Sequence, residues 1–210
     1  MAIADQNCRQ FTEALASSAP VPGGGGAAAL LGALSSALCE MAGNLTVGKK
    51  KYADVEPDVR RLAAECESLR ARFLALADED AAAFAPLAKA YALPKDDAAY
   101  ASTLRAATLE ACRPPLEMLR CACRAVELVE EMREKCSRLL LSDVGCAASI
   151  AGAALECAAL NVFVNTRTLP DDEQALAYAA ETGNLLAEYR GRARALTDTI
   201  MDGLQRGNHG

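Results

Sequence analysis

Three groups of side chains in this sequence are of a type that could move a proton or hold a charged ligand. They are Asp80, within Asp78-Glu79-Asp80-Ala81-Ala82-Ala83-Phe84, Asp143, within Ser142-Asp143-Val144-Gly145, and the triplet Lys49-Lys50-Lys51. A positioned carboxylate can act as general acid or base or face a developing cation, and clustered ammonium groups attract anions. The one histidine, His209, lies in the terminal stretch Arg206-Gly207-Asn208-His209-Gly210, a tail expected to fray, which argues against histidine-based triads. Each candidate also has an ordinary reading. A lysine run is commonly a solvated surface, Asp80 could be one more acid on an exposed helix face, and Asp143 could simply complement a helix dipole. A fourth feature is Pro20-Val21-Pro22-Gly23-Gly24-Gly25-Gly26. The prolines hold the chain extended, and glycines opening a helix leave N–H groups bare to an anion or admit another backbone closely. A flexible turn between helices would use the same residues.

The elements that must position these groups read as helices almost throughout. The first is expected over residues 5–18, the second over 26–44, and a long third over 58–91, with Pro57 in its first turn and Leu62, Cys66, Leu69, Phe73 and Leu76 at helical spacing. Pro86 should kink that helix, and the pair Pro114-Pro115 should interrupt the next one before it resumes over 116–140. Ser142 is the expected N-cap of an apolar helix ending near Asn165, and Asp171 and Asp172 open a last helix to about Leu204. No run alternates in the manner of a strand. The expected fold is all-α, an antiparallel bundle of about six helices forming one domain over residues 1–210.

Composition agrees. Of 210 residues, 52% are hydrophobic but only 4% aromatic, with no tryptophan, so the core must be alanine and leucine with valine and cysteine. A net charge of −6 argues against a general nucleic-acid binder, so any anionic partner must be held locally. The nine cysteines are odd in number and scattered through apolar stretches, which suits small core residues in a reducing compartment. Cys121 and Cys123, the one close pair, point to different helix faces and make a poor metal site. The N-terminus lacks a basic region followed by an apolar block, and a cytoplasmic location is expected. Residues 26–43 and 144–164 are apolar enough to suggest membrane spans, yet they carry Glu40 and Glu156 and are rich in alanine, glycine and serine, so buried bundle helices are expected instead. Gly32 with Ser36 and Gly145 with Ser149 place small residues one turn apart, which suits close helix pairing in the core or across a dimer interface.

The run from Ser17 to Tyr52, SSAPVPGGGGAAALLGALSSALCEMAGNLTVGKKKY, resembles the signature of the cyclodeaminase/cyclohydrolase family, the folate-dependent domain found fused to formiminotransferase and also free-standing. The likeness continues through Asp80-x-x-Ala83-Phe84, Leu93-Pro94-Lys95, Ser142-Asp143-Val144-Gly145 and Leu160-Asn161-Val162-x-x-Asn165, and so spans most of residues 11–170. The resemblance implies a helical homodimer with active sites against a dimer groove. It also implies a tetrahydrofolate derivative, possibly polyglutamylated, as substrate, and no metal or redox cofactor beyond tetrahydrofolate as substrate and carrier.

The reaction so implied is cyclisation of 5-formiminotetrahydrofolate to 5,10-methenyltetrahydrofolate with loss of ammonia. The first alternative is the cyclohydrolase reaction, in which water opens the methenyl ring to 10-formyltetrahydrofolate, and a further alternative is a folate-binding paralogue without turnover. Both reactions pass through a tetrahedral carbon between two nitrogens and need an acid and a base. Asp143 is the first candidate for that role and Asp80 the second. Lys49, Lys50 and Lys51 with Pro22 and the N–H groups of Gly23, Gly24, Gly25 and Gly26 are candidate anchors for the glutamate tail. Asn44, Asn161 and Asn165 are candidates for the pterin amide edge. The chain also departs from the family. Cys136 and Ser137 stand where a Gly-Asn pair is common, Gly26 stands where serine is frequent, and Cys157 replaces a common glycine. These changes raise the expectation of altered turnover or substrate choice.

Overall fold

A computed structural model describes residues 2–206, and His209 lies outside the described residues. Six α-helices follow one another: α1 (Cys8–Leu15), α2 (Gly24–Asn44), α3 (Glu56–Tyr91), α4 (Tyr100–Lys135), α5 (Leu141–Thr166) and α6 (Glu173–Gln205). Short 3-10 turns occupy Ile3–Asp5, Lys50–Val55 and Arg138–Leu140, and no strand occurs among the described residues. From α2 onward each helix runs antiparallel to the one before. α2 also lies along α5, and α4 backs both.

Small residues let α2 and α5 come this close. Gly32 sits under the Phe73 ring of α3, where any Cβ would overlap it, and Gly145 faces Ile200 of α6, so both glycine approaches fall inside the bundle. Ser35, fully buried, donates its hydroxyl to the Ala147 carbonyl at 2.8 Å and fastens the middle of α2 to the second turn of α5. Around this seam lie two continuous apolar clusters, one on Phe73, Leu76, Leu119 and Leu155 and the other on Val59, Leu62, Met132 and Val144. Burying Leu or Phe side chains of this kind contributes about 1.5–3 kcal/mol each, which stands in for the missing tryptophan volume. By length and composition α2 and residues 138–166 could each cross a membrane, but both are packed into the bundle, and their acids are ion-paired at its rim, Glu40 with Arg70 at 3.0 Å and Glu156 with Arg190 at 2.6 Å.

Several expected boundaries move. The first helix is only Cys8–Leu15, because Asn7 and Gln10 close a reciprocal capping box that starts it late. α3 continues through Pro86 to Tyr91. α4 is not interrupted at Pro114-Pro115 and runs unbroken to Lys135. Proline at 115 cannot donate to the Ala111 carbonyl, and the Asn165 side-chain amide fills that place at 3.1 Å. Residues 138–140 are a separate 3-10 turn that feeds directly into α5, so Ser142 is not the N-cap. It sits inside the first turn, and Leu140 holds the cap position without a side-chain bond. Asp172 does cap α6, accepting from the N–H groups of Gln174 and Ala175.

Candidate functional site

The first turn of α2 is built to admit side chains from its neighbours. Gly23 is the N-cap and offers no side-chain bond, and the first helical bond is from Ala27 N–H to the Gly23 carbonyl at 3.0 Å, so the N–H groups of Gly24, Gly25 and Gly26 have no partner within the helix. The Asp80 carboxylate from α3 lies directly over Gly25, where a Cβ would overlap all three of its carboxyl atoms. From the other side, the Asn161 amide of α5 lies against Gly24, 3.0 Å from where a Cβ would stand. Pro22, buried after a cis Val21–Pro22 bond, presses on Gly26 in the same way. The glycine run is therefore a landing surface as well as a turn. Burial pushes the Asp80 carboxyl up to about 6, which poises it to exchange a proton near neutrality. Asn161 spends its amide N–H on the Cys157 carbonyl at 2.8 Å.

At the far end of α2 the chemistry changes sign. Lys49, Lys51, Tyr52, Ser137 and Ser142 border a cavity of about 720 Å³ whose apolar wall comes from Leu141, Ile200 and Leu204. Among the described residues no carboxylate lines it, whereas Arg133, paired with Glu134 at 2.8 Å, and Arg138 do. Buried Thr46 ties Ser137 to the end of α2, donating to the Ala42 carbonyl at 2.7 Å and accepting from the Ser137 N–H at 2.8 Å. The Tyr52 hydroxyl accepts from the Arg138 N–H at 3.2 Å, and this bond, with Ser137 and the Lys51 charge nearby, lowers its pKa.

The sequence candidates thus fall into two groups that one protomer does not bring together. Asp80, Pro22, Gly23 to Gly26 and Asn161 gather at one end, and Lys49 to Lys51, Asn44 and the half-buried Asp143 at the other, separated by α2, whose 21 residues span about 30 Å. Two expectations are corrected. The lysines and the glycine run do not form a joint anion anchor within one chain, and Asn44 is far from Asn161. Asn165 stands at the Asp80 end, but its amide is committed to Ala111. Tyr52 and Ser137 were absent from the candidates. The signal for Tyr52 was its position directly after the lysines, and Ser137 was visible only as a departure from a motif. Among the described residues no group of three or more histidine, cysteine, aspartate or glutamate side chains is arranged to hold a metal, and all nine cysteines are unpaired thiols.

Residues 7–184 match the formiminotransferase-cyclodeaminase family. A methenyltetrahydrofolate cyclohydrolase from Methylorubrum extorquens is 40% identical over 202 residues, covering 94% of this chain and 95% of that one. A formimidoyltransferase-cyclodeaminase from Mus musculus is 28% identical over 172 residues, covering 80% of this chain and 32% of the longer mouse protein. The crystal structure of formiminotetrahydrofolate cyclodeaminase from Thermotoga maritima superposes with a TM-score of 0.82 at 28% identity, over 95% of this chain and 99% of that one.

Proposed function

This chain belongs to the formiminotransferase-cyclodeaminase family, and we propose that it is an enzyme of tetrahydrofolate one-carbon metabolism whose reaction is the cyclohydrolase one, opening 5,10-methenyltetrahydrofolate with water to 10-formyltetrahydrofolate. The observation that carries this choice over ammonia-releasing cyclisation is the likeness to the Methylorubrum cyclohydrolase, which at 40% identity runs nearly the full length of both chains. It reverses the order in which the motifs alone ranked the two reactions.

The residues suit the chemistry. The methenyl carbon is cationic between two nitrogens. Water adds to it, a base takes the water proton, and the C–N bond to N5 then breaks as N5 gains a proton. Asp80 is the group we assign to the base, because a carboxyl with a pKa of about 6 is largely ionised at neutral pH, faces a cationic carbon favourably, and can return the proton. Asn161, Pro22 and the Gly23–Gly26 backbone shape the pocket beside it. Asp143, half-buried at the basic end, becomes the second choice. The lysines hold the glutamate tail, and no metal or redox cofactor is called for beyond the folate itself.

Assembly follows from the same geometry. The face of α2 and α5 turned away from α4 carries Leu34 and Leu45 (47% and 50% exposed) and Leu160 and Val164 (66% and 45% exposed), with no charge between Asp143 and Glu156 on α5. A second copy laid over this stripe about a two-fold axis, its α2 antiparallel to the first, sets the Asp80 end of one protomer beside the lysine end of its partner and buries the leucines. A homodimer in the reducing cytoplasm is the proposed working form. The test follows methenyltetrahydrofolate absorbance with the purified chain. Loss faster than spontaneous hydrolysis is expected, accumulation from the formimino substrate would instead favour cyclisation, and no change in either direction would leave a folate binder. A stable monomer over a wide concentration range would refute the shared site.

A further inference from the structure

The segment that precedes α2 is attached on both sides of the contact between Gly25 and Asp80. On α3 the Asp78 carboxylate, two residues before Asp80, accepts the Ile3 N–H at 2.6 Å. On α2 the Phe11 ring lies 4.0 Å from where a Cβ on Gly26 would stand, and Pro22 presses on the same spot at 3.0 Å. Phe11 is the one buried residue of α1, and it shares with Gly26 and Leu30 of α2 and Leu74 and Ala77 of α3 a residual space of about 60 Å³. Little else holds the segment down. The other residues of α1 are exposed or half-buried, and the Gln6 amide oxygen is buried beneath the segment without a partner among the described residues, which opposes docking. The Phe11 ring and the bond from Ile3 to Asp78 must outweigh that loss together with the cost of ordering the chain.

We infer that residues 2–15 form a wall of the Asp80 site and that Phe11 is a positioning residue, acting through Pro22 and Gly26 to keep the Gly25 backbone seated against the carboxylate. The inference rests on the reading of Asp80 as the base. It also gives glycine a role at position 26, where serine is frequent: a Cβ there would crowd Pro22, and without one Pro22 closes down on the turn and the Phe11 ring covers it. The neighbours of the carboxylate leave burial as the means of tuning it. The Gly24–Gly25 backbone and the Asn161 amide do not titrate, Glu79 is paired with Arg72, Asp78 is bonded to Ile3, and Asp5, Cys8 and Arg9 of the segment are exposed. A loosened wall admits water, and water favours the ionised carboxylate.

Two measurements test this, with thermal melts confirming that each variant is folded. In the first, Phe11→Ala, Phe11→Leu and Asp78→Ala are assayed with methenyltetrahydrofolate. A base shifted off its seat should lower kcat about ten-fold or more in Phe11→Ala, with KM changed little, and Phe11→Leu should recover most of the loss. Asp78→Ala frees the segment while leaving every buried apolar group in place, so it carries the test even if Phe11→Ala does not fold, and its kcat should fall in the same direction by less. Unchanged kcat in the folded variants would overturn the assignment, as would a rise in KM alone. In the second, carbon-13 NMR follows the titration of the Asp80 carboxyl, identified by its loss in Asp80→Asn. Its midpoint should move down by about half a pH unit or more in Phe11→Ala or Asp78→Ala, a change that lowered thermal stability alone would not produce. A midpoint that moves in a protein without turnover of either folate would sink the folate reading and leave the wall standing. Folate turnover with both kcat and midpoint indifferent to Phe11 and Asp78 would do the reverse.

Discussion

The two ends of α2 use opposite means to prepare a polar site. At the Gly24 end the backbone is stripped, and the Asp80 carboxylate lies against it with its pKa raised by burial. At the Lys49 end the side chains carry the charge, and hydrogen bonds run from the Ala42 carbonyl through Thr46 to the Ser137 N–H. One end is arranged to hand a proton back and forth, the other to hold a ligand still. A carboxyl near pH 6 is costly and reactive, whereas a hydrogen-bonded hydroxyl among cations is cheap and directional.

The largest break in this contrast should come from Asp80→Asn, which keeps size while removing proton transfer. Turnover should fall by about 10²–10⁴-fold, while Asp143→Asn should cost less than about ten-fold. Rates that rank the other way would return the base to Asp143. Stability should move opposite to activity. The folded chain binds the Asp80 proton more tightly than the unfolded chain, so the stability that proton contributes is present below about pH 4 and lost as pH rises through about 6. Asp80→Asn should therefore melt higher than wild type at pH 7–8, by about 1–3 kcal/mol in stability, with the gain vanishing near pH 4. Melts at both pH values check the sign. Wild-type turnover should rise through the same pH interval.

A smaller effect is expected from Gly25→Ala, which leaves every ionisable group in place and pushes the Asp80 carboxylate off its seat. A misplaced base should cost about 10–100-fold in turnover with the lysine end untouched, so KM for a triglutamate substrate should hold. Parallel loss of tail preference would show that the two ends are not separable. The smallest effect belongs to scaffolding. Asn165→Ala leaves the Ala111 carbonyl unpaired and should destabilise by about 1–3 kcal/mol, and adding Pro115→Ala, which restores an N–H, should recover part of it. Equal destabilisation in the single and double variants would show that Asn165 acts elsewhere.

The helices were legible because their apolar spacing and caps are local properties. Asp172 as N-cap and Pro57 near the start of α3 needed only neighbours in sequence. Pro114-Pro115 misled, since the rescue of the Ala111 carbonyl comes from a residue fifty positions later. The same distance explains the site. Asp80, the glycines and Asn161 were all visible as candidates, but nothing in their spacing tells that they meet while Asp143 and the lysines stand a helix length away. Asn165 looked like a ligand-binding amide in a motif, and its partner turned out to be backbone. Ser137 was read as a loss because a motif comparison registers what is missing, while the bond from its N–H to Thr46 depends on a turn ninety-one residues away.

The straight run of α2 has one further consequence. A helix advances 1.5 Å and turns 100° with each residue, so its 21 residues act as a ruler whose two marks are a stripped glycine turn and a lysine turn. Gaining or losing one residue between Gly26 and Asn44 would change the span hardly at all, yet it would swing one mark a quarter turn and more around the axis relative to the other. Reach along this molecule is forgiving and bearing is not, so length variation in relatives that keep both marks belongs in the connections on either side of this helix.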